Sequence, residues 1–96
     1  MSDGHTIPAH IENAIAGERA YQDRKWGSPH EHPHEVGAWL TIMRHKLLDA
    51  EAAWTHGLDD HDALKEVLKV VAVGVACLEQ HGVVTRDNTY NRHIST

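Results

Sequence analysis

The chain has 96 residues, 41% of them hydrophobic and 24% charged, with a formal net charge of −5. That is the balance of one soluble folded domain, and the acidic excess argues against a nucleic-acid partner, which needs a basic stripe to shed counterions from phosphates. Phe is absent and Cys77 stands alone, so neither a large aromatic core nor a disulfide supports so small a fold, and association of copies is the expected remedy.

In chain order, residues 1–10 carry Asp3 and His5 where a secretion signal would need a cationic start and an apolar run. The first helix is predicted to begin at Thr6 to Pro8, since Thr6 can cap and Pro8 is tolerated in a first turn. Its stripe is Ile7, Ile11, Ala14, Ile15 and Tyr21, and it should fray near Lys25. Trp26 to His34 then forms a loop, because Gly27, Pro29 and Pro33 exclude a helix there.

The second helix is predicted from Glu35 to His56, with Gly57 in the left-handed position after it. Val36, Trp39, Leu40, Met43, Leu47, Ala50 and Trp54 recur by threes and fours, so both Trp39 and Trp54 are expected in the core. The third is predicted from His61 to His81, capped by Asp59 or Asp60 and stopped by Gly82. It has two apolar faces: Leu64, Val67, Leu68, Val71, Val75 and Leu78 on one, and Val70, Val73 and Cys77 on the other. Such a helix needs neighbours on two sides, and Gly74 at its middle suits a close helix approach.

Nowhere does the pattern alternate as a strand, and the charge-free run Val70 to Leu78 is too short to cross a membrane. The expected fold is all-α, a three-helix protomer assembling into a homo-oligomeric helical bundle. It comprises a single domain over residues 1–82 and a polar tail over 83–96. A lone Cys77 read as a small core residue fits a reducing, cytoplasmic setting with no membrane partner.

Two polar clusters stand out. His45, Lys46 and Asp49 share a flank of the second helix, while Glu66 and Lys69 stand three apart on the third. A short connection makes these helices antiparallel, so the clusters should face each other, either as ordinary ion pairs or as a site. The loop residues His30, His32 and His34 alternate along an extended stretch, a weak metal pattern in the absence of Cys or helix-spaced His. Trp26 and His34 suit stacking on a nucleobase or contact with a phosphate, and Arg24 and Lys25 flank them. No serine elbow or glycine-rich phosphate loop is present.

The segment Glu18-Arg19-Ala20-Tyr21-Gln22-Asp23-Arg24-Lys25-Trp26-Gly27, followed by Trp39-Leu40-Thr41-Ile42-Met43 and by Glu66 to Val73, resembles the MazG-like family of all-α nucleoside triphosphate pyrophosphatases, particularly its small phage-encoded members. The resemblance spans residues 18–82. It implies a carboxylate motif, EExxE, on one helix and ExxD on the next, which together hold Mg²⁺ against a nucleotide. Carried over, His45 and Lys46 fall where the first two Glu stand, Asp49 falls on the third, Glu66 matches the Glu of ExxD and Lys69 stands at its Asp.

A lysine cannot ligate Mg²⁺ at neutral pH. The resemblance therefore implies a phosphate-binding pocket without the chemistry, with Lys46 and Lys69 as fixed cations, Asp49 and Glu66 holding them, and Arg44 on the same rim. A phage protein of this kind would act as a sponge for a nucleotide immune signal. The expected ligand set is Lys46, Lys69, Asp49, Glu66, Trp26, Lys25, Arg24, His34, His45 and Arg44, with no cofactor. The alternative is a divergent pyrophosphohydrolase in which Asp49, Glu66 and either Glu51 or Asp62 hold one metal ion.

Overall fold

The computed structural model describes residues 6–57 and 60–86. It contains three helices, α1 (Ala9–Trp26), α2 (Val36–His56) and α3 (Asp60–His81), and no strand among the described residues. No helix is long and apolar enough to cross a membrane.

Pro8 begins α1 with its carbonyl, which accepts from the amides of Ile11 and Glu12 at 3.0 and 3.1 Å, so the cap is made by backbone and not by the Thr6 side chain. Gly27 ends α1 at a φ of +87°, its amide bonded to the carbonyl of Asp23. Gly82 after α3 is likewise left-handed at +92°. Gly57 after α2 differs from expectation: it is extended at −80° and still caps Ala53 through its amide. Asp59 lies outside the described residues, as do 1–5 and 87–96, so the cap assigned to it and most of the tail are not described.

α3 is the central element. α1 and α2 each pack on it, while their own backbones do not approach each other. The buried core is Trp39, Val73 and Ala76, with Ile42, Met43 and Cys77 packed against it. The expected close approach at Gly74 is made to α2, where a β-carbon would stand 3.3 Å from the end of Met43.

Of the two apolar faces of α3, the one containing Val73 is covered. On the other, Leu64, Val67, Val71 and Leu78 are exposed, from 41% to 64%. Trp54 is 67% exposed, unlike Trp39 at 7%. Both satisfy the helical period, but only Trp39 lies opposite the covered part of α3. The expected stripe of α1 is also uncovered at Ile7, Ile11 and Tyr21. α1 meets α3 instead through Arg19 and Gln22, which are buried, because their polar ends find partners on α3 and their stems supply the packing.

Candidate functional site

With α1 and α2 held apart on α3, a cavity of about 440 Å³ opens between them. Trp26, Trp39, Ile42, Val73 and Ala76 give it apolar walls; Arg19, Gln22 and Asp23 come from α1, His32 and His34 from the loop, and Lys46 from α2. The size and the mixture of an apolar lining with a few polar groups are those of a small-molecule site.

The loop over this cavity is tightly specified. Ser28 and Glu31 cap each other, the Ser28 amide donating to Glu31 Oε1 at 3.0 Å and the Glu31 amide to Ser28 Oγ at 3.2 Å. The Ser28 amide, and then its hydroxyl, hold the Glu31 carboxyl below its ordinary range. The His32 ring lies against Gly27, where any β-carbon would collide with it.

Gln80 near the end of α3 binds the far side of the loop. Its Nε2 donates to the His34 carbonyl at 2.7 Å, while its Oε1 accepts from the His34 amide at 3.1 Å and from Trp39 Nε1 at 2.9 Å. The His81 ring adds a 2.8 Å bond to the same carbonyl. The His34 ring meets Trp39 edge to face, with centroids 4.9 Å apart.

At the α1 wall, Arg19 is 6% exposed. Its Nη1 donates to Asp23 Oδ1 at 2.8 Å and its Nη2 to Glu79 Oε1 at 2.5 Å, whereas its Nε is buried without a partner. Burial opposes the charge on Arg19, yet the bonds to Glu79 and Asp23 outweigh it and raise the pKa. The guanidinium therefore stays charged between two carboxylates.

Lys46 has a different environment. Its Nζ stands 5.4 Å from the centre of the Trp26 ring, and no carboxylate among the described residues lies within ion-pair distance of it. Lys25 covers the same ring at 4.9 Å and Tyr21 at 5.8 Å. Lys25 and Arg24 are exposed on the last turn of α1 and do not line the cavity, and the same holds for Arg44 and His45 on α2.

Lys69, Glu66 and Asp49 form a separate cluster. Lys69 Nζ bonds Glu66 Oε2 at 2.9 Å, and that bond, against some desolvation and with the nearby charges of Glu66, Glu18 and Asp49, raises the lysine's pKa. Gln22 links the cluster to the cavity wall, donating to Glu18 Oε2 at 3.2 Å and to the Lys69 carbonyl at 3.4 Å. Lys69 thus stands as a cation among three carboxylates.

The structure accordingly brings Trp26, His34 and Lys46 into one cavity and Asp49, Glu66 and Lys69 into another group beside it. Among the described residues no three His, Cys, Asp or Glu side chains gather as a metal site, in the histidine loop or elsewhere. Glu51 is exposed, and Asp62 stands 3.5 Å from His61 on the first turn of α3.

Sequence reasoning missed Arg19, Asp23, His32 and Gln80 as parts of the site. The one local signal was Ser28-x-x-Glu31, a capping pattern that marks the loop as ordered. Gln80 had none, since its partners are 41 and 46 residues away.

A central helix with two flanking helices and an aromatic cavity between them defines this protein as an all-helical domain with a candidate small-molecule site. In comparison with known proteins, the chain matches no family model, no curated protein and no solved structure.

Proposed function

We propose that the protein binds a nucleotide-type phosphorylated ligand in the cavity between α1, the loop and α2, and does so without hydrolysing it. One observation carries this reading: Lys46 projects a charge with no carboxylate partner among the described residues into a cavity walled by Trp26 and Trp39. A base can stack on indole while a fixed ammonium in a partly desolvated site attracts phosphate.

Lys69 is assigned a supporting role, because Glu66 already engages its charge. This departs from a site in which both lysines meet phosphate. The resemblance to MazG-like proteins supports the same class of ligand, and the lysine among the acidic groups disfavours Mg²⁺ at that place. In a phage such a protein would serve as a sponge for a nucleotide signal, in the host cytoplasm where Cys77 stays reduced.

The working form is proposed to be a homo-oligomer. The exposed row Leu64, Val67, Val71 and Leu78 lies on one face of α3, and a chain with only a small buried core gains most by covering it. Light scattering at micromolar concentration tests this, a stable 10.7 kDa species overturning it.

Calorimetry with a nucleotide panel, with and without Mg²⁺ and Mn²⁺, tests binding, and chromatography of the products tests hydrolysis. Retained, unaltered nucleotide is expected. Absence of binding across the panel removes the proposal, and robust Mg²⁺-dependent turnover replaces it with the pyrophosphohydrolase.

A further inference from the structure

The loop beside the cavity is built as a unit of its own. Its turn is held from within: the amides of Glu31 and His32 both donate to the Ser28 carbonyl, at 3.1 and 2.9 Å, and Ser28 and Glu31 cap each other. Among the described residues no backbone bond joins residues 28–34 to a helix. The hydrogen bonds that do join them come from the side chains of Gln80 and His81, and all converge on the backbone of His34. These bonds lie exposed to water, and within the segment only Pro29 is buried.

Gln80 serves both sides of this join. Trp39 Nε1 and the His34 amide can only donate, so the side-chain oxygen of Gln80 faces them both and its Nε2 is left for the His34 carbonyl. The bond to Trp39 ties α3 to α2, whereas the bonds to His34 tie the loop to α3. Water can replace the bonds lost at His34 when the loop lifts, but the indole N–H belongs to a residue only 7% exposed and needs its acceptor. The two sets of bonds therefore differ in what it costs to break them. We infer that residues 28–34 form a strap beside the cavity that opens as a unit, with Gln80 as its latch: the bonds to His34 release while the bond to Trp39 stays closed. Gly27, left-handed at a φ of +87°, precedes the strap and Glu35, the extended residue before α2, follows it. Opening takes Pro29, His32 and His34 from the lining and uncovers Val73 and Ala76 within it. Such motion is independent of which ligand the cavity holds.

Hydrogen exchange followed by NMR on the full chain tests the latch, and line broadening by a soluble nitroxide tests the access. Corrected for intrinsic rates, the His34 amide should exchange at least about a hundredfold faster than the Val73 amide and the Trp39 indole N–H. Gln80→Glu keeps an oxygen for both N–H donors and sets a second oxygen against the His34 carbonyl. It should speed His34 exchange about tenfold and leave the indole N–H slow. The same variant should broaden the methyl of Ala76, which lines the cavity, and spare that of Ala72, which is equally buried and not on the lining. Exchange of His34 as slow as that of Val73 would mean that the loop opens only with the whole fold, and joint fast exchange of His34 and the indole would mean that Gln80 does not divide them; either overturns the strap. Equal broadening of Ala72 and Ala76 overturns the access. If Gln80→Glu does not fold, the wild-type exchange rates decide alone.

Discussion

Lys46 on α2 and Lys69 on α3 carry the same side chain on neighbouring helices and have opposite surroundings. Lys69 meets Glu66 at 2.9 Å with Glu18 and Asp49 near it, so its charge completes a structural network. Lys46 lies over the Trp26 ring, an attraction weaker than a carboxylate's, and keeps its charge available. The difference shows that the fold decides whether a lysine's charge is engaged by carboxylates or left over an aromatic ring. Counting lysines along the chain treats the two as equivalent; the carboxylates around Lys69 and the Trp26 ring beside Lys46 separate them.

The comparison breaks most visibly at Lys46. Lys46→Glu should weaken nucleotide binding about a hundredfold, since it turns an attraction for phosphate into a repulsion in a site drier than bulk water, whereas Lys69→Met should change it less than about threefold; equal losses by calorimetry would erase the distinction.

Gln80→Ala removes the clamp on His34 and the partner of Trp39 Nε1. It should cost about 1–3 kcal/mol in thermal or urea unfolding, because the indole N–H is left in a buried setting, and it should loosen the cavity that Lys46 serves without disturbing Lys69. Gly27→Ala should cost about 1–3 kcal/mol by both the left-handed backbone and the contact with His32. Its signature is a displaced His32 ring resonance, and a variant that kept both stability and that resonance would contradict the packing described.

Lys69→Met should cost less than about 1 kcal/mol, as its side chain is 37% exposed and water screens the pair. Its pKa is raised on folding, so this stabilisation is fully present below the ordinary value of 10.5 and is lost as pH rises through the folded one. Wild type and variant should therefore converge in stability in strongly alkaline buffer. The smallest effect is at Glu31, whose carboxyl is held low. The order it lends the loop is present above the ordinary value of 4.5 and fades as pH falls through the lower folded value. An NMR titration following the Ser28 amide would register that transition.

The sequence by itself determined the three helices. Apolar spacing placed α2 and α3 within a residue or so of their observed ends, and Pro8, Gly27 and Gly82 mark real boundaries. Local geometry governs these features, so a window of a few residues holds the information. Trp26, His34 and Lys46 were also legible as chemistry-bearing residues, though not as neighbours. Which apolar face is covered was a tertiary decision, since Trp39 and Trp54 share a stripe and differ tenfold in exposure. So was the role of Arg19 and Gln22, which stand outside the apolar stripe expected of α1 and become its buried contact with α3. Burial of these polar groups depends on partners 47 residues away for Gln22 and 60 for Arg19, and helical period says which side chains share a face, never which face meets a partner that can satisfy them.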